Sequence, residues 1–170
     1  DDIDFENGII SIKHSLYDKP KDEKGRWYIG NTKTKSGTRQ IHISQTLLRA
    51  LKNYKKKQQY YKKLYNSNYI YYHLEDVQNE YGKVKEQRIV KNDSGLLNIK
   101  NVNLVFTNEN GVFNGTDILK YPFKIIHNEL GIKKCRFYDL RGSYATKILR
   151  NGVEIKDVAE ILGHNNIETT

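Results

Sequence analysis

Between Gly8 and Ser44 the apolar residues fall in short β-prone runs set between polar ones. Gly8-Ile-Ile-Ser-Ile-Lys-His14 alternates imperfectly, Arg26-Trp-Tyr-Ile29 is aromatic and β-branched, and Gln40-Ile-His-Ile-Ser44 alternates cleanly. A period of two turns one side of such a run toward a core, so residues 8–44 are predicted to form strands. Thr32-Lys-Thr-Lys-Ser-Gly-Thr-Arg39 lies between them, and Ser36-Gly37 reads as a hairpin turn in which glycine supplies a positive φ. The expectation is a small antiparallel sheet with Lys35 at or beside a tip.

At Gln45 the period changes to that of a helix, which the pattern carries to Tyr65. Leu47, Leu51, Tyr54, Tyr61 and Tyr65 share one side, and Lys52, Lys55, Lys56, Lys62 and Lys63 gather beside them. That basic side either follows phosphates or is simply solvated. Residues 66–100 are polar and weakly patterned, with short β-like runs at Tyr69-Ile-Tyr-Tyr72 and Arg88-Ile-Val90, and read as an inserted hairpin or ordered loop. Leu104-Val-Phe-Thr107 reads as a short strand entering a turn at Asn110-Gly111. Thr116 is placed to cap a helix, and Pro122 must occupy a break or a first turn, which leaves a helix over Phe123–Leu130 stopped by Gly131. Helices over Asp139–Arg150 and Glu154–Leu162 follow, ended by Asn151-Gly152 and Gly163. The fold class expected is α+β, mostly helical, with a small antiparallel sheet toward the front and no internal repeat.

Charge narrows the function. Lys and Arg exceed Asp and Glu by 29 to 20, a net charge of +9, so a polyanionic partner is expected, either nucleic acid or an acidic membrane surface. No run approaches the roughly eighteen apolar residues of a spanning helix, and no signal-peptide pattern opens the chain, so a soluble protein is expected. Cys135 is the only cysteine, which excludes an internal disulfide and a multi-cysteine zinc site and suits a reducing cytoplasm. At 170 residues the chain is one compact domain or one plus a fragment. The absence of methionine, even at position 1, suggests a piece of a longer polypeptide. The wealth of Tyr, Lys, Asn and Ile is what AT-rich codons favour, as in a low-GC bacterium or its mobile elements.

Three residues carry candidate chemistry. With Leu140 at 0° on its helix, Tyr144, Ile148, Ala145 and Leu149 fall at about 40°, 80°, 140° and 180°, and Arg141 at about 100°, inside the apolar stripe. A guanidinium there costs several kcal/mol unless partners meet it. Either it waits for an anion, aided by free N–H groups of the first helical turn, or it pairs with an internal carboxylate. His164 leaves the Gly163 cap in a direction fixed by the preceding helix, and is either a site residue or a packing one. Lys35 is either functional or a solvated tip.

Taken together these residues resemble a family. Phe137-Tyr-Asp-Leu-Arg-Gly-Ser-Tyr-Ala-Thr146, Leu149-Arg-Asn-Gly152 and Val153-Glu-Ile-Lys-Asp-Val-Ala-Glu-Ile-Leu-Gly-His-Asn-Asn-Ile-Glu-Thr-Thr170 resemble the catalytic region of tyrosine recombinases, the phage-integrase family. Asp2-Ile-Asp-Phe5, Thr32-Lys-Thr-Lys-Ser-Gly37 and Leu104-Val-Phe-Thr-Asn-Glu-Asn-Gly111 fit the same pattern, most closely that of integrases from Gram-positive conjugative transposons and prophages. The likeness covers nearly everything except about residues 66–100. It implies a partial catalytic domain over 1–170. The implied activity is cleavage and rejoining of double-stranded DNA at attachment sites through a 3′-phosphotyrosyl bond, with no metal or cofactor. It further implies a homotetramer on DNA, a monomer in free solution, and action in the bacterial cytoplasm at the nucleoid, away from membranes. By position, Arg141 corresponds to the second family arginine, Lys35 to the lysine that protonates the leaving oxygen, with Lys33 a weaker fit to that role, and His164 to the histidine after Leu-Gly. Lys33 and Arg39 are candidate DNA contacts.

Two departures qualify this. Tyr138 stands three residues before Arg141, where the family usually has histidine; it can donate a hydrogen bond but is no acid or base near neutral pH, so it is a phosphate contact at most. The first family arginine and the nucleophilic tyrosine would fall outside these residues, so the 170 residues alone are expected to be inactive. Two other classes remain open. Asp157–Thr170 also reads as the start of a helix-turn-helix, which would make a non-catalytic DNA-binding module. A basic RNA-binding protein would fit the charge, although no aromatic stacking motif supports it.

Overall fold

The computed structural model describes residues 2–19, 27–92, 101–166 and 168, with the backbone alone at Thr116 and Asp117. In chain order the elements are β1 (Ile3–Asp4), β2 (Ile9–Ile12), β3 (His14–Asp18), β4 (Trp27–Asn31), β5 (Arg39–His42), α1 (Gln45–Tyr65), β6 (Tyr72–Gln78), β7 (Val84–Lys91), α2 (Lys120–Asn128), α3 (Asp139–Arg150) and α4 (Ile155–Leu162). They fall into two compact units, one of residues 1–33 and 40–113 and one of residues 34–39 and 114–170.

The first unit holds two sheets rather than the single one expected. One has the order β1-β2-β5 and the other β3-β4-β7-β6, the latter antiparallel throughout. β4 and β5 therefore lie in different sheets, and no hairpin joins them. Residues 66–100 supply the β6–β7 hairpin, closed by a turn in which Asn79 Oδ1 accepts from the N–H groups of Tyr81 and Lys83, both at 3.0 Å. Residues 93–100 of that segment lie outside the described residues, as does Arg26 at the start of the predicted Arg26–Ile29 strand. On one face of the larger sheet Tyr28, 1% exposed, stacks on Tyr17 at 6.0 Å under the ammonium of Lys19 at 4.3 Å. Buried Glu86 accepts from the Lys19 ammonium and the Tyr17 hydroxyl. These two contacts, Lys19 first, hold the Glu86 carboxyl below its usual range, and the carboxylate pushes the Tyr17 phenol up to about 12. On the opposite face Trp27 and Leu74 both pair with buried Ile89, and Phe113 meets Trp27 edge-on at 5.3 Å.

α1 has the bounds its period predicts. Ser44 Oγ accepts from Leu47 N–H at 3.3 Å as an N-cap, and Asn66 at φ 45° ends the helix. Its buried residues are Leu48 and Leu51, and Tyr54, Tyr61 and Tyr65 are half-buried, so the expected face turns inward except at its start, where Leu48 is buried and Leu47 is 44% exposed. Lys62 is not merely solvated, since its ammonium donates to Asn103 at 3.1 Å and lies 5.8 Å from the Tyr69 and Tyr71 rings. Leu104–Thr107 does not form the predicted strand. Gln58 Nε2 donates to the carbonyls of Leu104 and Val105 at 3.1 and 2.8 Å, and the Tyr54 hydroxyl to that of Thr107 at 2.9 Å. Helix side chains thus satisfy the backbone there, and only Thr107 makes a bridge, to Phe113.

In the second unit a 3₁₀ turn at Thr116–Leu119 leads into α2, which starts three residues earlier than predicted and ends two earlier. Pro122 sits in its first turn, where no donor is lost. The side chain of Thr116, and so its predicted cap, lies outside the described residues. Phe123 packs edge-on against Phe137 at 6.0 Å, and α3 and α4 join around Val158, fully buried, with Ala145 and Leu162 beside it and Ile148 and Leu149 against them. No described helix is long and apolar enough to cross a membrane.

Candidate active site

The end of α4 organises the site. Gly163 adopts φ 72°, a conformation that disfavours a Cβ, and the chain turns so that Gly163 N–H donates to the Glu160 carbonyl and His164 N–H to that of Ala159, each at 2.9 Å. A helix that stops leaves its last carbonyls without a following turn of donors. Here three consecutive carbonyls are taken by side chains. Arg39 Nε donates to Ile161 at 2.8 Å, Arg141 Nη2 donates to Leu162, and Ser36 Oγ donates to Gly163 at 3.1 Å. Cations at this end also face the partly negative pole of the helix.

Two of those three side chains come from one short segment. Lys35–Gly37 is a 3₁₀ turn in which Thr34 Oγ1 accepts from Gly37 N–H at 3.2 Å, and Thr38 N–H donates to the Lys35 carbonyl at 3.1 Å. Arg39 Nη1 closes back on the Gly37 carbonyl at 2.9 Å, and Ser36 is also hydrogen bonded to the Asn165 side chain. Gly37 is not at positive φ, so the turn forms by a different route from the predicted one, through 3₁₀ bonds that any residue can make. Lys35 is exposed, between Thr34 and Ser36, both of which are anchored.

Arg141 lies on the buried face of α3, one turn before Ala145, while Leu140 and Tyr144 are about half exposed. None of the ion pairs among the described residues includes it. Among the described residues its partner is therefore the Leu162 carbonyl and not an internal carboxylate. The free N–H groups expected around it are also taken, since those of Asp139, Leu140 and Arg141 donate to the carbonyls of Arg136, Phe137 and Tyr138. Any anion at this point meets side chains, not an open helix N-terminus. Half-buried His164 has its pKa pushed below the usual histidine value, first by burial and then by the charges of Arg141 and Arg39. Arg39 is lowered likewise, by burial and then by Arg141. Two guanidiniums and an imidazole thus gather at the end of α4, where each positive charge disfavours the next.

The model of the phage integrase family matches residues 1–170. The chain belongs to the phage integrase family. It is 29% identical over 175 residues to a protein described as tyrosine recombinase XerC-like from Caldanaerobacter subterraneus subsp. tengcongensis, a match covering 99% of this chain and 38% of that one. It is 27% identical over 169 residues to the transposase from transposon Tn916 of Enterococcus faecalis, covering 99% of this chain and 35% of that one. The fold superposes with a TM-score of 0.64 and 19% identity on the Tn1549 transposon integrase solved in complex with circular intermediate DNA, covering 99% of this chain and 45% of that one. The chain thus spans little more than a third of the length of the curated relatives it matches.

Within this integrase-family chain, Lys35, Arg39, Arg141 and His164 all belong to the second unit. Lys33 is exposed and belongs to the first. Tyr138 is 70% exposed at the start of α3, and its side chain makes no capping hydrogen bond. A helix-turn-helix would need a second helix after Gly163, where residues 167, 169 and 170 lie outside the described residues. Ser36 and Asn165 were not singled out from sequence, and Arg39 only as a DNA contact. Their partners lie 122 to 129 residues away in the chain, so no local pattern announces them.

Proposed function

We propose that these residues form part of the catalytic region of a site-specific DNA recombinase that integrates or excises a mobile element at attachment sites. In this reading a tyrosine of the full-length protein gives up its phenolic proton to solvent and attacks the scissile phosphorus, an O–P bond forms, and the bond to the 5′-oxygen breaks with its electron pair staying on that oxygen. Lys35 delivers a proton from its ammonium to the departing 5′-oxygen. Arg141 and His164 hold the phosphoryl oxygens, where fixed donors do most when charge accumulates. Rejoining runs the same steps backwards, with the 5′-hydroxyl as attacker, so no external energy is consumed. Tyr138 and Lys33 are further candidates for phosphate contacts. The working form is a homotetramer on DNA and a monomer in free solution, in the bacterial cytoplasm at the nucleoid.

The observation that carries this reading is Arg141 on the buried face of α3, bonded to a helix carbonyl and without a described carboxylate, beside Arg39 and His164. Family membership and a net charge of +9 support it. The test is a suicide substrate, in which a nick beside the cleavage site lets the 5′-hydroxyl strand diffuse away. The full-length protein should become covalently attached to the 3′ side of the cut and migrate as one adduct on a denaturing gel. Binding of attachment-site DNA with no adduct would defeat the proposal.

A further inference from the structure

Lys35 carries the proton in the reading above, yet nothing described grips its side chain, and its position depends on what holds the turn around it. Two side chains tie that turn to the end of α4. Ser36 does so with one rotatable hydroxyl that also meets Thr34 Oγ1 at 3.2 Å and the Asn165 side chain. Arg39 does so with two N–H groups of one rigid plane, Nε on Ile161 at 2.8 Å and Nη1 on Gly37 at 2.9 Å. A planar fork that reaches two carbonyls on separate segments fixes their separation and angle, which a single ammonium cannot do. The joint is tight as well: a Cβ on Gly163 would lie 2.7 Å from Arg39 Nη1 and 2.9 Å from the Ser36 carbonyl oxygen.

We propose that Arg39 is a positioning residue for strand cleavage. By bridging the Gly37 and Ile161 carbonyls it locks the Lys35 turn to the His164 end of α4, and so sets where the lysine ammonium meets the leaving oxygen. The inference rests on Lys35 being the proton donor. It also explains why a half-buried guanidinium is kept beside Arg141 with no described carboxylate to offset the repulsion, because the two carbonyl contacts are the return.

The test compares two substrates in the full-length protein, one with the ordinary 5′-oxygen at the cleavage site and one with sulfur in its place. A thiolate leaves without a proton, so a defect in proton delivery disappears on the sulfur substrate, whereas a defect in phosphate binding or folding persists. Lys35→Ala and Arg39→Ala should each slow single-turnover cleavage of the ordinary substrate by about 10²-fold. On the sulfur substrate both should return to within about threefold of the unmodified protein, with little change in DNA affinity. Arg39→Gln, which keeps one donor and loses the bridge, should be slowed and rescued in the same way, and keeps the test available if Arg39→Ala folds poorly. Rescue of Lys35→Ala without rescue of either Arg39 variant would overturn the positioning role. Failure to rescue Lys35→Ala would remove Lys35 as the proton donor, and the role of Arg39 with it.

Discussion

The guanidinium of Arg141 donates to the carbonyl of Leu162, joining the first turn of α3 to the last turn of α4. A buried-face arginine usually answers to a carboxylate, which would neutralise it. A carbonyl satisfies the donor and leaves the positive charge in place. With Arg39 on the adjacent carbonyl and His164 just past the cap, the end of α4 gathers two guanidiniums and an imidazole.

Gly163 should tolerate substitution worse than another glycine of the same backbone conformation. Gly131 also ends a helix at positive φ, 64°, but an added Cβ there meets nothing within 4 Å. Gly131→Ala should cost about 1–2 kcal/mol from conformation alone. Gly163→Ala should cost more, since its Cβ must displace Arg39 or the Ser36 backbone, and it should slow cleavage as well. Urea denaturation of the two variants measures the difference.

The His164 imidazole should titrate below the ordinary histidine value of 6.5, the shift coming from burial and then from Arg141 and Arg39. Arg141→Gln should raise its pKa, and so should inorganic phosphate if phosphate binds beside the guanidiniums. Ring NMR shifts across pH 4–8 give both results. Because the folded state disfavours the charged imidazole, this group detracts nothing above the unfolded pKa, and its destabilisation grows as pH falls through 6.5 toward the folded value. Denaturation of a His164→Gln variant should therefore lose that part of the acid sensitivity.

Glu86 in the first unit is a stability residue. Its carboxylate is held below the usual range by Lys19 and Tyr17, so its stabilisation is present above the unfolded carboxylate pKa and is lost as pH falls through the folded one. Glu86→Gln at neutral pH should cost about 1–3 kcal/mol, the range for weakening charged hydrogen bonds at a buried acceptor, reduced here because Lys19 is partly exposed. Thermal unfolding checks it, and DNA cleavage below the transition should be little changed.

The elements that sequence predicts well are those decided locally. α1 follows from its period and the Ser44 cap, and α4 from an apolar stripe closed by glycine. The misreadings arise where a distant partner decides. Leu140 and Tyr144 look like core residues, but α3 is buried along Arg141, Ala145 and Ile148, and periodicity cannot tell which apolar edge meets a neighbour. Leu104–Thr107 has the composition of a strand, yet Gln58 and Tyr54 take its carbonyls. Arg39 reads as one basic residue among many, because the Ile161 carbonyl that defines it lies 122 positions on.

The most direct measurement is single-turnover cleavage of a suicide substrate by the full-length protein carrying Arg141→Ala, with DNA affinity measured alongside. Loss of one preorganised phosphoryl donor should slow cleavage by about 10²–10³-fold. Affinity should change only a few-fold, since many lysines share the backbone contacts. Cleavage at the unmodified rate would contradict the account, because Arg141 would then have no part in holding the phosphate.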